Sequence, residues 1–272
     1  MNDRVKVEIT NGVADVRLVR TDKMNALDDA MFSALIETGE ALKTTAGVRA
    51  VVLSGEGRAF CAGLDMGSFA SMASGERRPN TADGQSLLTP QRTPGGSNRA
   101  QHAVMVWREQ PVPVIAAIHG VAFGGGFQLA LAPDMRFVTP DARMAVMEIK
   151  WGLVPDMGGL VLMRHLARGD VIRELTYSGR IFDGEEALRL GFATRVCADP
   201  RAEALALAHE IAGKSPSAIR GAKRLIELAE TPATQHEILL AESAEQGAVI
   251  GTPNQKEAVM SNMEKRAAVY AD

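Results

Sequence analysis

Three consecutive glycines, Gly124, Gly125 and Gly126, stand directly before the apolar run FQLALA. An apolar strand pattern, PVIAAIHG at 113–120, precedes them and ends in Gly120. The pattern predicts a strand that gives way to a short helix over 124–132, with bare N–H groups at its start. Such groups, backed by the helix dipole, can hold an anion or an oxygen on which negative charge develops. A second bare stretch, Ala59-Phe60-Cys61-Ala62-Gly63-Leu64-Asp65, follows a buried-strand pattern at 50–54. Two donors, one from each stretch, aimed at one carbonyl oxygen would form an oxyanion hole, each worth about 3–4 kcal/mol in the transition state. Taken singly, each glycine reads as well as a tight turn or a close helix–strand contact.

Other chemistries leave little trace. IAGKSPS at 211–217 has Gly-Lys-Ser but not the earlier glycine of a phosphate-binding loop, and no G-x-G-x-x-G follows a strand. There is no G-x-S-x-G elbow. His102, His119, His165, His209 and His236 show no metal-ligand spacing, and neither Cys61 nor Cys197 lies in a C-x-x-C, so no metal is expected. Over 272 residues, 30 Lys and Arg face 33 Asp and Glu, a net charge of -3 that argues against nucleic acid or an anionic membrane as partner. The start MNDRVKVEIT lacks an apolar h-region, and no apolar run reaches membrane-spanning length. A cytoplasmic protein is expected, two cysteines agreeing with a reducing compartment.

The elements that must hold these residues read as mixed α/β. VKVEIT (5–10) and VADVRLV (13–19) alternate around Asn11-Gly12, a hairpin signal. A helix is predicted from Asp28 to about Lys43, a strand at 50–55, and a helix from Asn98 to Gln110. MRFVTP and MAVMEI read as short strands. MGGLVLMRHLA, VIRELTYSG and GEEALRLG read as helices, and four more follow over 202–213, 215–230, 235–250 and 255–268. Residues 71–100, rich in Gly, Pro, Ser and Thr, are expected to form a mobile flap over whatever pocket the fold provides. The strand-strand-helix beat of the N-terminus recurs loosely at 134–147 and 157–178, an internal structural repeat.

GRAFCAGLD (57–65), AAIHGVAFGGGFQLALAPDMRF (116–137) and MEIKWGLVPDMGG (147–159) together resemble the crotonase superfamily, the enoyl-CoA hydratase/isomerase family. The resemblance runs from Arg20-x-x-Lys23-x-Asn25-Ala26-Leu27 to Glu257 through Arg266. It implies an α/β spiral of β-β-α turns with a helical C-terminal region, assembled as trimers or paired trimers. Residues 1–200 would then be the spiral core, with acyl-CoA binding and catalysis, and 201–272 a helical region for oligomerisation. By the same resemblance, the N–H groups of Leu64 and Gly125 form the oxyanion hole for a coenzyme A thioester. Ala62, Leu64, Asp65, Met66, Gly67, Gly124 and Gly125 would line the thioester and acyl site. Arg20, Lys23, Asn25 and Ala26 would lie near coenzyme A, whose phosphates need cations, with Arg20, Lys23 and Arg58 as candidates. No cofactor is implied beyond coenzyme A, which enters as the substrate thioester.

The acid/base positions choose the reaction. The hydratases of the family hold Glu at two places, and this chain has Gln128 at the first and Glu148 at the second. Gln128 can hold a water but cannot take its proton, or it is a polar helix residue and nothing more. Glu148, at the end of an apolar strand pattern, is harder to explain as structure, and a partly apolar pocket would raise its pKa into a range suited to proton transfer. Asp156 reads equally as a catalytic partner or as the N-cap of the following helix. The dienoyl-CoA isomerases look similar at Glu148 and Asp156 but carry a carboxylate at the Gln128 position. The aromatic-acyl dehalogenases share only Asp156. Trp151, Met144, Met147, Met157 and Met163 read as core or pocket wall. Double-bond migration needs one well-placed base, so an enoyl- or dienoyl-CoA isomerase is expected, with Glu148 as base and Asp156 as partner. Hydration of 2-enoyl-CoA is the alternative. A non-catalytic acyl-CoA-binding or scaffold protein is the alternative of another class.

Overall fold

The Asn11-Gly12 turn, with φ of 49° and 81°, joins β1 (Val5–Thr10) to β2 (Val13–Leu18) in antiparallel register, Val5 opposite Leu18 and Thr10 opposite Val13. The computed structural model describes residues 3–68, 74 and 91–272. The other strands of the larger sheet add in parallel: β3 (Ala50–Gly55) beside β2, β4 (Val114–Ile118) beside β3, β6 (Met135–Val138) beside β4 and β8 (Arg195–Val196) beside β6. A smaller sheet pairs β5 (Val121–Phe123) with β7 (Arg143–Ala145). Single bridges continue its line, Leu27 with Leu64, Cys61 with Ala122, and Met144 with Phe182. The chain thus contributes to the larger sheet and then to the smaller one on successive turns, which makes the fold a spiral. The expected strand-strand beat at 134–147 is therefore no hairpin, because β6 and β7 belong to different sheets.

Both faces of the larger sheet are covered. Val51, Leu53, Val114, Ala116 and Ile118 point to one face, under α1 (Asp29–Thr44) and α2 (Arg99–Arg108). Ala50, Val52, Ile115 and Ala117 alternate to the other, against Ala204, Ala208 and Ala212 of α7 (Pro200–Ala212). The core thus extends past the expected boundary at residue 200, since small alanines let α7 lie flat on the strands. Helix α1 starts at Asp28, whose carboxylate accepts from Met31 N at 2.8 Å. Helix α2 opens with a capping box between Asn98 and Gln101. The two helices touch at Gly39, where a Cβ would come within 2.6 Å of Val106. Between sheet and C-terminus lie α3 (Gly125–Leu131), α4 (Gly159–Met163), α5 (Gly169–Ser178) and α6 (Gly184–Leu190).

Three helices close the chain: α8 (Pro216–Ala229), α9 (Gln235–Val249) and α10 (Pro253–Glu264). Helix α8 is pinned to the sheet by buried Lys223, which donates to Val112 O at 3.0 Å and Asp134 Oδ2 at 2.9 Å. Helix α9 buries none of its own residues and is tied to α8 by Arg224–Glu245. Among the described residues, no helix is long and apolar enough to cross a membrane. The flap expected at 71–100 lies outside the described residues except for Ser74 and 91–100, where a turn runs into the Asn98 cap.

Candidate active site

Two backbone segments meet at the glycines. Cys61 donates its N–H to Val121 O at 3.0 Å and accepts from Phe123 N at 3.2 Å, so the 59–65 stretch runs alongside β5. Gly63, at φ 87°, then turns the chain. Leu27 bonds the residues on either side of Leu64, donating to Gly63 O at 2.8 Å and accepting from Asp65 N at 3.0 Å. The N–H of Leu64 therefore points away from Leu27, to the side where Gly125 lies. A Cβ on Gly63 would stand 3.7 Å from Gly125 N and 2.4 Å from Phe123 O, so only glycine permits this approach. Neither Leu64 N–H nor Gly125 N–H has a hydrogen-bond partner among the described residues. Gly124 is the cap of α3, with φ 52° and no side chain to cover the helix start. Leu27 and Met157 wall the Gly125 position, at 3.0 and 2.7 Å from where a Cβ would be.

Glu148 stands over the same glycines, its Oε1 3.4 Å from the Cβ position of Gly124. It is 8% exposed. The strand expected to carry it ends at Ala145, and Glu148 instead opens a single 3₁₀ turn, Glu148–Trp151. Gln128, 1% exposed on α3, donates from Nε2 to Glu148 Oε1 at 2.6 Å. Its own Oε1 accepts from Met157 N and Gly159 N, both at 2.9 Å. Glu148 Oε2 is buried with no hydrogen-bond partner. Burial pushes the Glu148 carboxyl above the usual carboxylate range, the Gln128 bond works against this, and the nearby Asp156 charge adds to it. Asp156 keeps one side open to solvent, while the chain packed against it raises its own pKa. Asp156 does not cap the following helix: the cap of α4 is Gly158, which leaves the N–H of Gly159 to the Gln128 carboxamide. Gln128 is thus more than a polar helix residue, and its acceptor oxygen is already filled by two donors.

The residues expected near coenzyme A divide. Arg20 is engaged within the protein, donating to Asp65 Oδ2 at 2.7 Å and Ala26 O at 3.0 Å and standing 3.4 Å from Asp28. Asn25 is fully buried at φ 56°, its side chain donating to Glu56 O and Ala59 O. Both therefore shape the loop, as does buried Ala26, whose N–H reaches Lys23 O at 3.0 Å. Lys23 and Arg58 are exposed and have no ion-pair partner among the described residues, as phosphate contacts would require. Asp65 accepts from Gly67 N at 2.8 Å, and Met66 is exposed, so Leu64–Gly67 form an ordered rim beside the donors; Ala62, half-buried, is held by Met24 O at 2.9 Å. Trp151, expected as core or wall, is 40% exposed under Lys150, whereas Met144, Met157 and Met163 are buried. The fold also gathers Glu40, His102 and Glu109, which sequence spacing did not reveal, but Lys43 Nζ lies 2.8 Å from both carboxylates and supplies the cation. Cavities of about 570 and 290 Å³ open elsewhere, lined by neither Glu148 nor the glycine donors.

Chemically, the arrangement offers two fixed N–H donors and one desolvated carboxylate with a free oxygen. That set suits charge building on a carbonyl oxygen while a proton moves nearby. Comparison with known proteins points the same way. The sequence profile of the enoyl-CoA hydratase/isomerase family matches residues 8–272. A mitochondrial Delta(3,5)-Delta(2,4)-dienoyl-CoA isomerase of Mus musculus is 36% identical over 215 residues, 78% of this chain and 64% of the mouse protein. The (E)-benzylidenesuccinyl-CoA hydratase of Thauera aromatica is 29% identical over 98% of both chains. The crystal structure of an enoyl-CoA hydratase from Bacillus anthracis superposes with a TM-score of 0.85 at 27% identity, covering 98% of each chain. With the spiral, the paired N–H donors and the family profile in agreement over nearly its whole length, this chain belongs to the enoyl-CoA hydratase/isomerase family.

Proposed function

We propose that the protein moves a double bond within an enoyl- or dienoyl-CoA thioester. The observation that carries this is the state of the two side chains facing the glycines. Glu148 has one bound and one free oxygen, and Gln128 has no acceptor left. A hydratase must hold a water, take one of its protons and protonate carbon. Here one base is present, and the neighbour that could orient water is bonded elsewhere. An isomerase needs only that base. In the first step Glu148 Oε2 takes a proton from the carbon α or γ to the thioester. The C–H electron pair moves into the conjugated system, and charge collects on the carbonyl oxygen between Leu64 N–H and Gly125 N–H. In the second step the same proton returns to the other end of the system. The carbonyl stays intact, and no redox step is involved. Asp156 serves as partner through its charge, which bears on the Glu148 carboxylate, and takes no proton in these two steps. Lys23 and Arg58 meet the phosphates of coenzyme A.

A hydratase reading keeps the support of relatives named as hydratases that match along most of the chain, among them the Thauera aromatica protein and the Bacillus anthracis structure. Assays of 3-enoyl-, 3,5-dienoyl- and 2-enoyl-CoA separate the two. Isomerisation of the first two is expected, with little water addition to the third. Glu148→Gln should lower kcat by about 10²–10⁴-fold. Unchanged turnover in Glu148→Gln would remove the base from the mechanism. Calorimetric binding of acyl-CoA without turnover of any thioester would favour the non-catalytic alternative.

A further inference from the structure

We infer that Gln128 is the positioning residue of this site: its carboxamide selects which oxygen of Glu148 reacts, and ties that carboxylate to the turn packing Met157 over the Gly125 donor. The inference rests on the isomerase reading for its kinetic consequences, but its geometry stands on its own. Gln128 Oε1 accepts two backbone N–H groups, from Met157 and Gly159, both at 2.9 Å. A flipped amide would set its NH₂ against those two donors, so the orientation is locked. Nε2 must then face Glu148, whose Oε1 it holds at 2.6 Å. What remains for the substrate is Oε2, buried and unpartnered. Gly159 makes room for this, because a Cβ there would lie 2.7 Å from Gln128 Cγ and Oε1. Gln128 also sits on the first turns of α3, whose first residue is Gly125. One side chain thus connects the donor helix, the 3₁₀ turn of the base and the turn at 157–159.

A buried glutamine that merely packs would affect melting and little else. A positioning residue must also move the behaviour of Glu148. Besides burial, four groups bear on that carboxylate: the backbone N–H groups of Glu148 and Met147 and the bond donated by Gln128 favour the ionised form, and the charge of Asp156 opposes it. Replacing Gln128 with Met keeps length and apolar bulk but removes the donor. In Gln128→Met, kcat should fall about 10- to 100-fold with KM within about threefold. The ascending limb of the kcat/KM pH profile should move to higher pH. Gln128→Glu keeps the two acceptor contacts and, when protonated, the donor, so it should restore turnover on the acid side only. A titration of ¹³C-carboxyl-labelled glutamate, with the Glu148 signal assigned by its loss in Glu148→Gln, reads the same shift without any substrate. Gly159→Ala presses on the same carboxamide and should shift that titration in the same direction; it serves if Gln128→Met does not fold. An unchanged Glu148 midpoint and pH profile, with only a lower melting temperature, overturns the inference. If wild type turns over no thioester, the isomerase reading fails while the titration still decides whether Gln128 governs Glu148.

Discussion

Glu148 joins sequence to chemistry at the smallest scale. Its raised pKa comes first from burial, and that has a consequence for stability as well as for catalysis. A carboxyl whose folded pKa lies above its unfolded value contributes fully to stability below the unfolded pKa, and that contribution is lost as pH rises through the folded pKa. Glu148→Gln cannot ionise. It should therefore be more stable than wild type at pH 8, with the gain gone near pH 4, as denaturant melts at the two pH values would read. A gain of equal size at both would show that ionisation is not its source. Loss of activity with gain of stability is the pattern expected of a charge kept buried for its reactivity. Arg20 behaves in the opposite way. Its contacts with Asp65, Asp28 and Ala26 O make it a brace for the 20–28 loop, so Arg20→Lys should lower the melting temperature. Lys23→Ala and Arg58→Ala should instead raise KM for acyl-CoA, more steeply at low salt, and leave melting unchanged.

At the scale of elements, the glycines differ in what they prevent. Gly63→Ala sets a Cβ 2.4 Å from Phe123 O at a φ of 87°, between the two segments that carry the donors. It should cost about 1–3 kcal/mol by overpacking, and about 10²-fold in kcat if the Leu64 donor shifts. Gly152, at φ 67° with open space around it, should cost only about 1 kcal/mol as Ala and leave kcat alone. Urea melts and assays of both variants check the contrast. The glycine donors were legible because a triplet before an apolar helix pattern has few other uses, and the long helices were legible from their period. The strands β5 and β8 were not, since three and two residues carry no period of their own and exist only through pairing with β7 and β6. The 3₁₀ turn at Glu148 hid for a related reason: MAVMEI alternates like a strand, but Gly124 N bonds Ala145 O and the ladder stops there. The work of Gln128 could not be read locally, because its partners lie at 148, 157 and 159.

At the scale of the whole molecule, the last three helices lean on the spiral through few contacts. Lys223 is one of them, and Lys223→Ala should destabilise by about 1–3 kcal/mol, since Val112 O and Asp134 lose their buried donor beneath α8. Leu239, Leu240, Ile250, Val259, Met260 and Met263 stay exposed on α9, α10 and the link between them. Apolar surface of this kind is what copies of the chain would cover, and the family resemblance implies three or six of them; sedimentation tests this, and a monomer would contradict that expectation. The spiral itself bears on how the protein comes into being. Leu64 and Gly125 belong to successive turns, and each turn closes only when a parallel strand has found its neighbour across a long stretch of chain. Such distant pairings form slowly and late. After dilution from denaturant, helical circular dichroism should return in an early phase, while thioester turnover waits for the last turn to dock. On that expectation, the return of activity times the completion of folding, and simultaneous return of both signals would overturn it.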